Sequence, residues 1–154
     1  MSTFKYLLLL SFCYFVVELS AQQSLNNAEK QILQSIDDNA TGYTEVAHQI
    51  WEWAELGYQE EKSSSLLQNL LQEAGFTIET GVAEIPTAFV ATYGSGRPII
   101  GVLGEFDALP GVSQAAVSSQ QEREESPNGH ACGHHLFGTA SAAAAIAVKN
   151  WLED

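Results

Sequence analysis

Cysteine is scarce in this sequence: its 154 residues hold two, Cys13 and Cys132. Cys13 lies in an N-terminal apolar run, so the chain beyond residue 21 carries one thiol and can form no internal disulfide. Basic side chains are scarce too, six Lys and Arg against nineteen Asp and Glu, for a net charge of −13. Such a surface repels phosphate backbones and anionic headgroups, which excludes nucleic acid and acidic membrane surfaces as partners. Residues 6–17 are apolar for only about a dozen positions, short of the ~20 that an ordinary spanning helix needs. No internal repeat, phosphate-binding glycine loop, nucleophile elbow or haem-attachment motif is present.

The N-terminus reads as a targeting segment. Lys5 supplies a positive start, residues 6–17 the apolar core, and Leu19-Ser20-Ala21 a small-residue exit. The expectation is a secretory signal peptide over residues 1–21 and an exported, periplasmic or secreted, protein without stable membrane insertion. Bulky Phe12 before Cys13 argues against lipid attachment. Residues 22–154 are one modest domain in length. Cys132, a lone thiol in an oxidising compartment, has to be buried or coordinated to persist.

The densest chemistry is Asn128-Gly129-His130-Ala131-Cys132-Gly133-His134-His135, which packs three of the four histidines around that thiol. Thiolate and imidazole donors on a turn entering a helix suit a transition metal; a glycine-rich turn that merely contains histidines is the alternative. A second concentration, Gly104-Glu105-Phe106-Asp107-Ala108-Leu109-Pro110, follows an almost unbroken apolar run over residues 98–103. That run has the pattern of a strand covered on both faces at the centre of an α/β sheet. Acids just past such a strand stand where open α/β sheets place ligands, although a polar loop with surface acids has the same composition.

Apolar spacing predicts helical segments over residues 25–38 and 43–54, continuous or broken at Thr41-Gly42, and a third over 66–74 stopped by Gly75. His48 falls off the apolar stripe and is expected at the surface. Strands are predicted over residues 76–79 and 87–93. Residues 114–128 are polar and read as a flexible excursion. An alanine-rich helix is expected over residues 138–151.

The two concentrations together resemble the metal-dependent amidohydrolases of the M20 peptidase family, in the branch of the aminobenzoyl-glutamate, hippurate and auxin-conjugate hydrolases. Trp51-Glu52-Trp53-Ala54-Glu55-Leu56-Gly57-Tyr58 and Pro86-Thr87-Ala88-Phe89-Val90-Ala91 extend the similarity over nearly all of residues 22–154. The resemblance implies an α/β fold, the N-terminal portion of a metallo-exopeptidase-like catalytic domain with a mixed sheet flanked by helices. It implies two divalent ions, zinc or manganese, with Cys132 and His134 as ligands and Asp107 supporting a ligand from behind. Glu105 stands where other branches have a ligand histidine, and its role is open. His135 departs from the usual Asp or Asn and is either an orienting partner or a spare donor; His130 is a further candidate to support a ligand or touch substrate.

The family's general-base glutamate, its remaining histidine ligands and its dimerisation domain are expected beyond residue 154. The expectation is therefore a longer, homodimeric hydrolase cleaving an amide bond of an N-acyl amino acid with a metal-activated water. The present segment alone is expected to be inactive and to bind metal weakly. The alternatives are an exopeptidase acting on dipeptides and a non-catalytic exported metal-binding module.

Overall fold

The computed structural model describes residues 25–153, so the proposed signal peptide lies outside the described residues. The chain divides into two compact units, Met1–Lys30 and Gln31–Asp154. In the first, the described residues form only the start of helix α1, Asn27–Asp38. Asn26 caps it reciprocally with Glu29: the Glu29 N–H donates to the Asn26 side chain at 2.9 Å and the Asn26 N–H to the Glu29 carboxylate at 2.7 Å. Two otherwise unpaired donors of the first turn are thereby satisfied.

Helix α2, Ala40–Trp53, abuts α1. The break falls at Asn39, not at Thr41-Gly42, because the Asn39 side chain donates back to the Ser35 carbonyl at 2.9 Å and competes with the helical ladder. Helix α3, Glu61–Glu73, begins five residues earlier than apolar spacing suggests. The reason is Glu55, whose carboxylate accepts from the N–H groups of Lys62 and Ser63 and anchors the positive end of the helix. Its other end follows the sequence. Gly75, at φ +94°, donates to the Gln72 carbonyl while Phe76 donates to Leu71, a two-bond stop that favours glycine at the turning residue.

The chain then forms an antiparallel hairpin of β1, Thr77–Thr80, and β2, Phe89–Thr92, around a short 3₁₀ turn at Val82–Glu84. Its register pairs Ile78 with Ala91 and Thr80 with Phe89, and turns Ile78, Phe89 and Ala91 toward the core. Helix α4, His134–Glu153, is the last element. Ile50 of α2, Leu67 and Leu71 of α3, and Ala142 and Ile146 of α4 form the buried centre where the three helices meet. The alanines of α4 let it come close to its neighbours. The architecture is mixed helix and strand, an α/β fragment with a small two-stranded sheet.

The expectation of a covered central strand fails. Residues 98–103 form no strand and are not covered: Ile99 is 80 %, Ile100 82 % and Leu103 75 % exposed. A strand needs ladder partners and a central one needs a layer on each face, and the described residues supply this run with neither. Residues 114–128 also differ from a free excursion. They lack helix and strand, but Arg123 ties them down. Its guanidinium lies 4.4 Å over the Trp51 ring and donates to the carbonyls of Trp51 and Glu52, at the end of α2. A cation there complements the partial negative charge of the helix terminus. Among the described residues no helix is long and apolar enough to cross a membrane.

Candidate metal centre

Three loops are stitched together by a few backbone bonds. The Ala108 N–H donates to the Glu55 carbonyl at 2.7 Å, making a parallel bridge between Leu56 and Ala108. One residue on, Leu109 and Gly129 exchange bonds of 2.9 and 3.0 Å in an antiparallel bridge. The loop after α2, the acidic loop and the histidine loop are thus in register. Gly129 is required where it stands, since a Cβ there would overlap the Val112 carbonyl. Asn128 adds a contact from its side-chain amide to the Ala54 carbonyl.

That scaffold delivers Glu105 and Asp107 to the first turn of α4. His134, the first helical residue, has Nδ1 2.8 Å from Asp107 Oδ1 and Nε2 3.1 Å from Glu105 Oε2. Suitable donor atoms of Glu105, Asp107 and His134 all lie within 4.8 Å of one another. Gly138, one turn further along α4, makes this approach possible: a Cβ there would stand 2.8 Å from the Glu105 carbonyl oxygen and 3.1 Å from Phe106 Cβ.

His130 and His135 pack beside this cluster with ring centroids 4.9 Å apart. His130 Nε2 lies 3.1 Å from the Ile50 carbonyl, which can only accept, so this nitrogen carries the proton and Nδ1 is bare when the ring is neutral. The Nδ1 atoms of both rings are buried without a hydrogen-bond partner among the described residues. Burial lowers the pKa of each; that of His135 is pushed down to about 4, with repulsion from His130 as the lesser cause. Both are therefore neutral imidazoles at pH 7.

Of the residues singled out in the sequence, Glu105, Asp107 and His134 come together, and His130 and His135 pair next to them. Cys132 is a free, exposed thiol on the turn closed by the Gly133 N–H to the His130 carbonyl, and it is not a member of the three-residue cluster. His48 is exposed, 3.6 Å from Glu52, as expected. Sequence reasoning missed two supports. Glu60 is 7 % exposed and accepts from the Thr87 hydroxyl at 2.7 Å, while Ser64 donates to the Thr87 carbonyl at 2.6 Å. Arg123 is the other. Acids ahead of a helix start and a lone arginine in an acidic loop were the available signals.

The donor set fits a divalent cation. Two carboxylates face one imidazole, an excess of negative charge that such an ion would neutralise. An N···O separation of 3.1 Å also suits two adjacent ligands on one ion at the ~2.0–2.1 Å bond lengths of zinc.

No family profile matches the sequence. Individual proteins do. A p-aminobenzoyl-glutamate hydrolase subunit of Escherichia coli is 46 % identical over 129 residues, 80 % of this chain and 27 % of that protein. The chain belongs to the M20 peptidase family. Human Xaa-Arg dipeptidase is 30 % identical over 78 % of the chain, and the hippurate hydrolase of Campylobacter jejuni 27 % identical over 78 %. This M20 chain spans about a quarter to a third of the length of these relatives, 27 % of the first two and 31 % of the third.

Proposed function

We propose that this chain is the metal-holding N-terminal portion of an exported hydrolase that cleaves an amide bond of an N-acyl amino acid. The observation that carries the reading is His134 held between Asp107 and Glu105 at the start of α4. Asp107 orients the ring through Nδ1, which leaves Nε2 for a cation, the arrangement in which a carboxylate fixes the tautomer of a ligand histidine. Cys132 and His134 are the proposed ligands to a pair of divalent ions, zinc or manganese, and Glu105 is close enough to join them. When bound, such ions lower the pKa of water and polarise a scissile carbonyl.

The chain's own residues bind and orient. Cys132 must lose a proton to ligate, and His134 must be neutral, so affinity falls in acid. The neutral His130 and His135 pack beside the centre with their Nδ1 atoms buried, so they wall the site and do not reach substrate. The general-base glutamate is assigned to sequence beyond residue 154, as is the homodimer contact. The likeness to a dipeptidase keeps a second substrate class, dipeptides, in view.

Calorimetric titration of the purified chain with Zn²⁺ and Mn²⁺ tests the centre. His134→Ala is expected to abolish binding and Asp107→Asn to weaken it by roughly 10–100-fold; unchanged affinity in His134→Ala removes the centre. For the reaction, the full-length protein is assayed on aminobenzoyl-glutamate, other N-acyl amino acids and dipeptides, with and without chelator. Chelator-insensitive turnover overturns the metal-activated mechanism, and turnover of dipeptides alone overturns the N-acyl assignment.

A further inference from the structure

Tyr58 has no part in the metal centre, yet its setting is unusual. At 71 % exposure it is the most exposed aromatic side chain among the described residues, and its backbone sits at φ +66°. That region costs an L side chain free energy and normally falls to glycine or asparagine. The turn imposes it: the Gln59 N–H donates to the Leu56 carbonyl at 2.9 Å, which makes Tyr58 the third residue of a four-residue turn. A ring standing in solvent adds no packing to offset the strain, whereas strained backbone recurs where a side chain is presented to a ligand. The turn is also fixed to the metal centre. Leu56 bridges Ala108, and a Cβ on Gly57 would lie 4.0 Å from Asp107 Oδ2 and 3.9 Å from Glu60 Oε1. Tyr58 is therefore one residue from backbone that lies against the carboxylate behind His134.

We propose that Tyr58 selects the acyl group: its ring is the platform on which an aromatic acyl group of the substrate stacks. The proposal deepens the hydrolase reading above and rests on it. Charge decides which end of the substrate meets this turn. Glu55, Glu60 and Asp107 flank it, and Lys62, the cation nearest in sequence, lies 6.0 Å over the Trp53 ring. The carboxylate of an N-acyl amino acid is repelled there, so the uncharged acyl end faces Tyr58. The exposed ring keeps a free face, and offset stacking favours an aryl over an alkyl acyl group on it. Because the turn is bridged at Leu56, that face is held in place before substrate arrives.

The test compares two substrates of the full-length protein, aminobenzoyl-glutamate and N-acetyl-glutamate, which share the amino acid and differ in the acyl group. In Tyr58→Ala the kcat/KM ratio of the first to the second should fall about tenfold, with the loss carried by KM, because a platform holds ground and transition states alike. Tyr58→Phe keeps the ring and should keep the ratio. Tyr58→Asn separates this role from one in the fold. Asparagine tolerates φ > 0, so its melting temperature should rise slightly while its ratio falls as in the alanine variant. An unchanged ratio in Tyr58→Ala, an equal loss in Tyr58→Phe, or a lower melting temperature in Tyr58→Asn overturns the proposal alone, since each is read against an active parent enzyme. A parent enzyme that cleaves neither substrate overturns the hydrolase reading and this proposal with it.

Discussion

Replacing Gly138 by alanine separates two effects that usually travel together. Within a helix the substitution gains about 1 kcal/mol of propensity. At this position, however, the new methyl would sit 2.8 Å from the Glu105 carbonyl oxygen and 3.1 Å from Phe106 Cβ. Relief of such a contact means moving backbone by roughly half an ångström, and overpacking of this kind costs about 1–3 kcal/mol. The net expectation is a loss of about 1 kcal/mol, which for a chain of this size lowers Tm by about 3 °C. Gly42 provides the control. It lies inside α2 with nothing within 4 Å of its would-be Cβ, so Gly42→Ala should raise Tm by a similar amount. The difference between the two variants in urea unfolding isolates the contact from the propensity. Because Gly138 lies one turn from His134, its substitution should also part the imidazole from Glu105 and weaken Zn²⁺ binding. Equal stabilisation by the two alanines would refute the close approach of α4 to the acidic loop, and with it the stated origin of the site's geometry.

Gly129→Ala should cost about 2–3 kcal/mol in urea unfolding, because the obstructing Val112 carbonyl is backbone. Arg123→Ala should cost about 2 kcal/mol through loss of the Trp51 stack and two carbonyl bonds, and Arg123→Lys should not restore it, since one ammonium cannot reproduce the planar fork. Stability of the metal-free chain should depend on pH through His135, which is partly buried against the His130 ring. Its folded pKa of about 4 lies below the unfolded value of about 6.5, so the unfolded chain binds the extra proton between them. Stability is then full above pH 6.5 and falls toward pH 4, by about 1–2 kcal/mol once solvent screening at this half-buried site is allowed for. Urea titrations at pH 5 and 7 on the protein and on His135→Asn check it; an identical pH dependence in the two refutes the assignment.

What could be read from sequence was local. Gly75 announced the end of α3, local composition announced the two strands though not their pairing, and the off-stripe position of His48 announced its exposure, because each follows from a few neighbouring residues. The joining of Glu105 and Asp107 to His134 across nearly thirty positions was legible only through resemblance to a family. The failures share a cause. Residues 98–103 have the composition of a buried strand, but composition states what a segment can bury and not whether covering elements are at hand. Asn39 broke the first helical pair because its amide found the Ser35 carbonyl, a competition that apolar periodicity does not register. Arg123 was lost in a charged cluster, although its target is the end of a helix more than seventy positions away.

The economy of the scaffold has a consequence for metal binding. Among the described residues three backbone bonds, from Ala108 to Glu55 and between Leu109 and Gly129, hold the acidic loop in register with its neighbours. Glu105 follows directly on an uncovered apolar run, with Gly104 against α4 as its near anchor. The two carboxylates are thus unequal: Asp107 adjoins the bridge at Ala108 and its side chain is 30 % exposed, whereas the Glu105 side chain is 51 % exposed. Ordering Glu105 around an ion costs entropy that the already oriented Asp107 does not incur. Glu105→Gln should therefore weaken Zn²⁺ binding in calorimetric titration, but by less than Asp107→Asn does. An equal or larger loss in Glu105→Gln would show that the two carboxylates hold the ion alike, and that the bridge at Ala108 does not decide the strength of the site.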